Sequence, residues 1–324
     1  MIKMDNVISI KNLKIELLSA KGIIHAVRGI NLDIKKGEIH GLVGESGCGK
    51  TMTAKALLRL HDDSRTEYSG EILFNDEVDI LKLKKKDIQK LRGNDISMAF
   101  QDPTTSLNPL ITVGEQICEM MKVHENMDVK RAYVKTLWLL EKVGIHPAEK
   151  RFKQYPFELS GGIIQRIMIA IAISCNPKFL IADEATTALD VTIQAQILQL
   201  FKNLQRNLGM TIMLITHNFG VVAEVCDRVS VMYAGKIVET GDVKDIFTSP
   251  VHPYTMALIN SIPKPGCHSK PLETIQGSPP ELLKKINGCA YAPRCKFAAK
   301  KCTEVIPEII YSKNGHTAAC HLEL

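Results

Sequence analysis

The residues in this chain that could do chemistry begin with Gly44-Glu45-Ser46-Gly47-Cys48-Gly49-Lys50-Thr51, which satisfies G-x-x-x-x-G-K-[ST] in full. Glycines at those places let the backbone curl with its N–H groups pointing inward, a cradle for phosphate oxygens. A helix beginning behind the loop adds partial positive charge. In such a loop Lys50 reaches the β- and γ-phosphates and the Thr51 hydroxyl ligates Mg²⁺. Cys48 lies inside it, close to a helix N-terminus that would acidify its thiol. A redox switch and a small space-filling side chain are both open readings.

An apolar run, Phe179-Leu180-Ile181-Ala182, ends on Asp183-Glu184. Acids at the carboxyl end of a buried strand lie at the crevice where α/β proteins bind ligands. Asp183 is placed to hold Mg²⁺ through water and Glu184 to act as general base for an attacking water. A further short run, Thr211 to Ile215, delivers Thr216-His217, and His217 at a strand end could contact the γ-phosphate. The remaining chemical group is a quartet of cysteines, Cys289, Cys295, Cys302 and Cys320, while Cys48, Cys118, Cys175, Cys226 and Cys267 are scattered.

These residues need elements to position them. Residues 7–15 and 26–34 read as strands, with Lys35-Lys36-Gly37-Glu38 as a turn. Ile39 to Val43 is a short buried strand feeding the glycine-rich turn, and a helix is expected from Lys50 to about Leu60. Gly70–Phe74 and Ile96–Phe100 read as strands, and 111–175 as mostly helical. Ile164, Ile167, Met168 and Ile171 share one helix face. Phe179–Ala182, Thr211–Ile215 and Val229–Tyr233 are strand-like, with a helix over 191–208. Short apolar strands alternating with helices predict a parallel sheet covered on both faces.

Composition bounds the rest. The chain has 324 residues, 45% hydrophobic and 23% charged, with a net charge of +6. That describes a globular chain of about two domains and excludes intrinsic disorder and fibrous repeats. The strongest apolar stretch, Ile167 to Ile173, is too short to span a bilayer, which takes about 18 residues. The N-terminus lacks the apolar core of a secretory signal, so a reducing compartment is expected and structural disulfides are disfavoured. The run Lys82, Lys84, Lys85, Lys86 reads as a solvated helix face or as a patch for nucleic acid or lipid headgroups. Prolines gather over 263–293, which places a domain boundary near 263. The tail beyond it has too little apolar content for a core of its own and needs docking, a metal or both.

Leu159-Ser160-Gly161-Gly162 precedes Gln165-Arg166. Together with the phosphate loop, Gln101, Asp183-Glu184, Ala188-Leu189-Asp190 and His217, in that order, this resembles the ATPase subunits of ABC transporters over about residues 5–263. The resemblance implies an α/β fold: a RecA-like P-loop core with an antiparallel β part, a helical lobe over about 103–170, and a small irregular Cys-rich C-terminal region over 264–324. It implies two subunits sandwiching two ATP molecules, with Lys50 of one facing Ser160 and Gly162 of the other, and Gly161 counted among the nucleotide-binding residues. It makes Gln101 the residue that senses Mg²⁺ and nucleotide, and Asp190 an aspartate at the dimer seam. The segments Phe100-Gln101-Asp102-Pro103, Thr105 to Pro109, His252-Pro253-Tyr254-Thr255 and Ala292-Pro293-Arg294-Cys295 are similar to those of the dipeptide, oligopeptide and nickel importers.

The implied partners are two transmembrane permease subunits, a second and non-identical ABC ATPase, and an extracytoplasmic substrate-binding protein, with no nucleic acid. The implied place is the cytoplasmic face of the cell membrane, as a peripheral subunit. Peptide is the leading cargo and nickel or a metal chelate the alternative. A soluble ABC ATPase acting on ribosomes or DNA is the remote one. The sequence departs from the family at Ile163 and Ile164 after the signature, at Ala185 after the acids, at Cys48 in the loop, and at Leu17 where an aromatic often stacks on adenine. The quartet spacings, x5, x6 and x17, lack the tight pair of structural zinc sites. Four thiolates on irregular loops suit a [4Fe–4S] cluster, and the family tail carries similar cysteines. Zinc and uncoordinated thiols remain open.

Overall fold

The computed structural model describes residues 6–102, 106–185, 190–262, 275–311 and 315–322. The chain divides into two compact units. The first comprises Met1–Lys35, Ile39–Leu81 and Thr216–Leu324, and the second Lys36–Glu38 and Lys82–Ile215. The boundary expected near 263 lies outside the described residues, as do Pro103, Thr105, Ala188, Leu189 and Cys267.

In the first unit the amino-terminal strands form an antiparallel sheet in the order Gly22–Lys35, Asn6–Ser19, Thr66–Phe74, Val78–Asp79. Register is fixed by alternation. Leu13 and Ile15 are buried between charged or polar neighbours, Val7, Ile8, Ser9 and Ile10 are buried in a row, and Ile8 pairs with both Ile34 and Phe74. A slip of one residue would turn that apolar row outward. Asn12, at φ 46°, marks a bulge between Ile10 and Leu13. These strands run longer than their apolar cores, because pairing continues into half-exposed residues that pattern alone does not mark.

A second set of strands in the same unit runs Ile309–Tyr311, Thr317–Ala319, Lys236–Asp242, Arg228–Tyr233, Ile39–Val43. Ile39–Val43 lies parallel to Arg228–Tyr233, with His40 opposite Arg228 and Val43 opposite Val231. All five residues of Ile39–Val43 are buried. That explains a run without alternation: both faces are covered. The tail does not build its own core. Tyr291 joins the buried cluster of Val43, Val231, Tyr233, Ile246 and Tyr254, with Ile275, Leu282, Cys289 and Cys295 packed against it.

In the second unit Ile96–Ala99, Phe179–Asp183 and Thr211–Thr216 are parallel, with Ile96 opposite Phe179 and Phe179 opposite Thr211. Each is buried along its length. Helices Val113–Glu125, Val129–Lys142, Ala148–Phe152 and Gly161–Ile173 fill the stretch expected to be helical. Thr112 and Glu115 form a capping box at the first of these, and Asp128 caps the second through the N–H groups of Lys130 and Arg131. On the expected face of Gly161–Ile173 the residues Ile164, Ile167 and Met168 are buried and Ile171 is half-buried, while Ile169, Ala170, Ala172 and Ile173 are buried as well, so this helix is covered on more than one face.

Candidate nucleotide site

The glycine-rich turn opens helix Lys50–Leu57 directly after strand Ile39–Val43, both in the first unit. Two glycines are irreplaceable for steric reasons. A Cβ on Gly44 would stand 2.1 Å from the Met232 carbonyl oxygen, and one on Gly49 2.7 Å from the Ala26 oxygen. Gly49 also sits at φ +108°, where L side chains are rarely found. Lys50 is buried, and its Nζ donates to the carbonyls of Gly44 at 2.8 Å and Glu45 at 3.0 Å. Its charge is thus held over the concave side of the turn. Thr53 Oγ1 donates to the Gly49 carbonyl at 3.0 Å and fixes the first turn of the helix.

Cys48 is buried, with Lys50 Nζ 3.7 Å from its sulfur. Burial pushes its thiol up, and this outweighs the lowering by Lys50. Of the two readings of Cys48, the space-filling side chain fits the structure, because a raised pKa leaves little thiolate. His217 follows strand Thr211–Thr216 and is exposed, just ahead of Asn218, which caps helix Phe219–Val225 through the Gly220 N–H.

In the second unit Asp183 ends strand Phe179–Asp183 and is 1% exposed. Glu184 follows in a left-handed conformation, φ 46°, with its N–H donating to the Ile215 carbonyl at 2.9 Å. A non-glycine residue in that region stores strain of about 1–3 kcal/mol, which surrounding structure must hold. That turn re-aims the Glu184 side chain away from the strand line. Gln101 Nε2 donates to Glu184 Oε2 at 2.9 Å, so residues 83 positions apart meet at the strand ends. Ala185 is buried behind them.

Ser160 is the N-cap residue of helix Gly161–Ile173 and makes no side-chain capping bond. Its hydroxyl stays available at an exposed helix start with Gly161. An oxyanion is well received there, since the first N–H groups of a helix have no internal partner. A Cβ on Gly161 would meet nothing within 4 Å. Of the signature departures, Ile164 is buried and Ile163 half-buried, so both belong to packing. Asp190 accepts the Ile193 N–H at 2.9 Å and caps helix Val191–Leu208. Leu17 lies on strand Asn6–Ser19, half-buried, opposite Ile24 and Thr66.

Cys289, Cys295, Cys302 and Cys320 line one cavity of about 20 Å³, with His252, Tyr291 and Phe297. All four are unbridged thiols. Backbone N–H groups of Phe297 and Leu322 point at the sulfurs of Cys295 and Cys320, at 3.4 and 3.5 Å. Burial raises the thiols of Cys289, Cys295 and Cys320, and their mutual repulsion adds to it. Among the described residues no set of three or more His, Cys, Asp or Glu side chains is disposed to hold a metal ion. The donor chemistry suits a thiolate-ligated centre; the side-chain placement as folded does not form one.

Sequence reasoning named Arg294 and Tyr254 only within family-like segments and gave them no role at the nucleotide site, yet both contact the phosphate loop at Glu45.

A phosphate loop on a buried strand, an acid pair at a parallel strand end and a glycine-led helix start define an ATP-binding cassette ATPase. The ABC transporter family matches residues 27–187, and the family of oligopeptide/dipeptide transporter C-terminal regions matches 238–302. The dipeptide transport ATP-binding protein DppD of Bacillus subtilis is 46% identical over 99% of this chain and 96% of its own. The oligopeptide transport ATP-binding protein AppD of the same organism is 46% identical over 98% of this chain and 97% of its own. A dimeric ATP-binding cassette in a post-hydrolysis state, bound to ADP and phosphate, superposes with a TM-score of 0.66 at 27% identity, over 73% of this chain and 98% of that one. The chain belongs to the ATP-binding subunits of ABC transporters, in the dipeptide/oligopeptide group, and its chemistry is ATP hydrolysis.

Proposed function

We propose that this chain hydrolyses ATP to energise uptake of dipeptides or oligopeptides through permease subunits in the membrane. Both relatives above are peptide-transport proteins by name, and the C-terminal region matches the peptide-transporter type. The partners are two permease subunits, a second ABC ATPase of non-identical sequence, and an external binding protein that selects the cargo. No helix among the described residues is long and apolar enough to cross a membrane. The proposed place is the cytoplasmic face of the membrane, with attachment through the permease subunits.

The loop N–H groups of 44–51 and Lys50 grip the β- and γ-phosphates, and His217 contacts the γ-phosphate. Thr51, Asp183 and Gln101 would hold Mg²⁺, which neutralises charge developing on the phosphate oxygens. Glu184 takes the proton of the attacking water. Ser160, Gly161 and Gly162 serve the nucleotide of the partner ATPase, and Asp190 lies at that seam. The observation that carries this reading is the 2.9 Å hydrogen bond from Gln101 to Glu184, which orients the carboxylate that must act as base.

The test is Glu184→Gln in the transporter assembled with its permease. MgATP binding persists, while phosphate release falls by about 10²–10⁴-fold. Phosphate release at the native rate refutes the assignment. Uptake of a labelled dipeptide, against labelled nickel, by cells carrying or lacking this gene decides the cargo.

For the four-thiol cavity the proposed occupant is a [4Fe–4S] cluster. The all-cysteine donor set and the N–H groups aimed at two of the sulfurs support it. Its assembly requires the thiols to turn toward a common centre. About four irons and four sulfides per chain in anaerobically purified protein would support this assignment; zinc, or neither element, would refute it.

A further inference from the structure

Glu45 is the second residue of the phosphate loop, so the loop that is to receive a polyanion itself carries a carboxylate. The structure gives that carboxylate a dedicated partner 249 residues away. Arg294 Nη1 donates to Glu45 Oε2 at 2.7 Å and Nη2 to Oε1 at 2.9 Å, a two-pronged pair. The guanidinium is fixed in turn. Its Nε donates to the Gln276 carbonyl at 2.9 Å, Nη1 also reaches the Tyr233 hydroxyl at 3.2 Å, and its carbon lies 5.8 and 6.0 Å from the ring centres of Tyr233 and Tyr291. The Arg294 side chain is 5% exposed. The rest of Glu45 is held as well: its N–H donates to the Tyr254 hydroxyl at 2.9 Å, and its carbonyl accepts from Lys50.

We propose that Arg294 is a positioning residue of the nucleotide site, neutralising and anchoring Glu45 so that the phosphate loop is pre-formed and carries no opposing charge when triphosphate arrives. This rests on reading residues 44–51 as the phosphate loop. Without Arg294 the carboxylate is unpaired. It then repels phosphate oxygens or turns inward to accept the loop N–H groups they require, acting as a competitor built into the chain. Arg294 sits in the turn Ala292–Arg294, immediately before Cys295, so the anchor is carried by the cysteine-rich segment itself.

The experiment is a double-mutant cycle in the full-length protein, read as the Kd of a fluorescent ATP analogue with Mg²⁺. Arg294→Gln in the native background weakens binding by about tenfold, the scale of a lost charged hydrogen bond. In the Glu45→Gln background the same substitution changes Kd by less than about twofold, since no carboxylate is left to restrain. An Arg294 that merely holds the tail in place loses the same factor in both backgrounds, and that result overturns the proposal. So does a Kd within about twofold of native for Arg294→Gln alone. If Arg294→Gln is insoluble, Arg294→Lys replaces it: the charge stays but the fork is lost, with about threefold weakening expected only when Glu45 is present. Lys50→Ala is the control for the loop reading. Binding that survives Lys50→Ala refutes the loop assignment itself. Binding abolished by Lys50→Ala yet untouched by Arg294→Gln refutes only the role of Arg294.

Discussion

Glu239 is the sharpest test of how the tail is attached. It is 1% exposed on strand Lys236–Asp242, and three N–H donors converge on its carboxylate. The Val251 N–H donates to Oε1 at 2.7 Å, the His252 N–H to Oε2 at 3.0 Å, and His316 Nε2 meets Oε1 at 2.7 Å. Glu239→Gln keeps the shape but leaves one acceptor oxygen for donors that used two. The amide NH₂ must then face a backbone N–H, donor against donor. Losing a hydrogen bond to a charged group costs about 1.5–3 kcal/mol, and an unsatisfied buried donor adds about 1–3 kcal/mol. Together they destabilise the first unit by about 2.5–6 kcal/mol. With a urea dependence of about 2–3 kcal/mol per molar, the midpoint drops by roughly 1–3 M. The assay is urea unfolding followed by intrinsic tyrosine fluorescence, which the Tyr233, Tyr254 and Tyr291 cluster of that unit supplies. A shift below about 0.3 M would show that the carboxylate is not the hub these distances describe.

Gly49→Ala should abolish high-affinity MgATP binding in an equilibrium assay, because the added carbon meets the Ala26 carbonyl at 2.7 Å in a left-handed backbone; unchanged binding would mean the turn can reshape freely. His252 accepts the Tyr254 N–H through Nδ1, and burial lowers its pKa to about 4 from 6.5. The unfolded chain therefore binds more protons between these values. The stability due to neutral His252 is full above pH 6.5 and is lost as pH falls toward 4. His252→Asn, which can cap the same N–H, should flatten the fall of the urea midpoint with acidity, and an unaltered slope would assign it elsewhere, His61 being the next candidate.

Much of the first-order chemistry is legible in the residues. Buried strands such as Ile39–Val43 and Phe179–Asp183 declare themselves because both faces are covered, leaving unbroken apolar runs. The helix after the phosphate loop stops at Leu57, short of the expected Leu60, because Arg59 adopts φ 46° and Leu60 bonds back to Lys55. No glycine announces that stop. Strand Lys236–Asp242 is half-polar and carries no clean alternation, so pattern reading passes over it. The positions of Arg294 and Tyr254 against the loop depend on packing across more than 200 residues, and nothing local encodes that. The strand-end meeting of Gln101 and Glu184 follows from parallel register between Ile96–Ala99 and Phe179–Asp183, which is a property of pairing, not of either segment.

The last hairpin, Ile309–Tyr311 with Thr317–Ala319, lies along Lys236–Asp242, where Ala318 faces Glu239. It acts as a selvedge. Were the chain cut before Ile309, Glu239 and Thr240 would lose their pairing with Ala318 and Thr317, and that edge of Lys236–Asp242 would present bare amides and carbonyls to any passing strand, an invitation to stick to copies of itself. The outermost strand on that side is instead the three-residue Ile309–Tyr311, too brief for a stranger to latch onto.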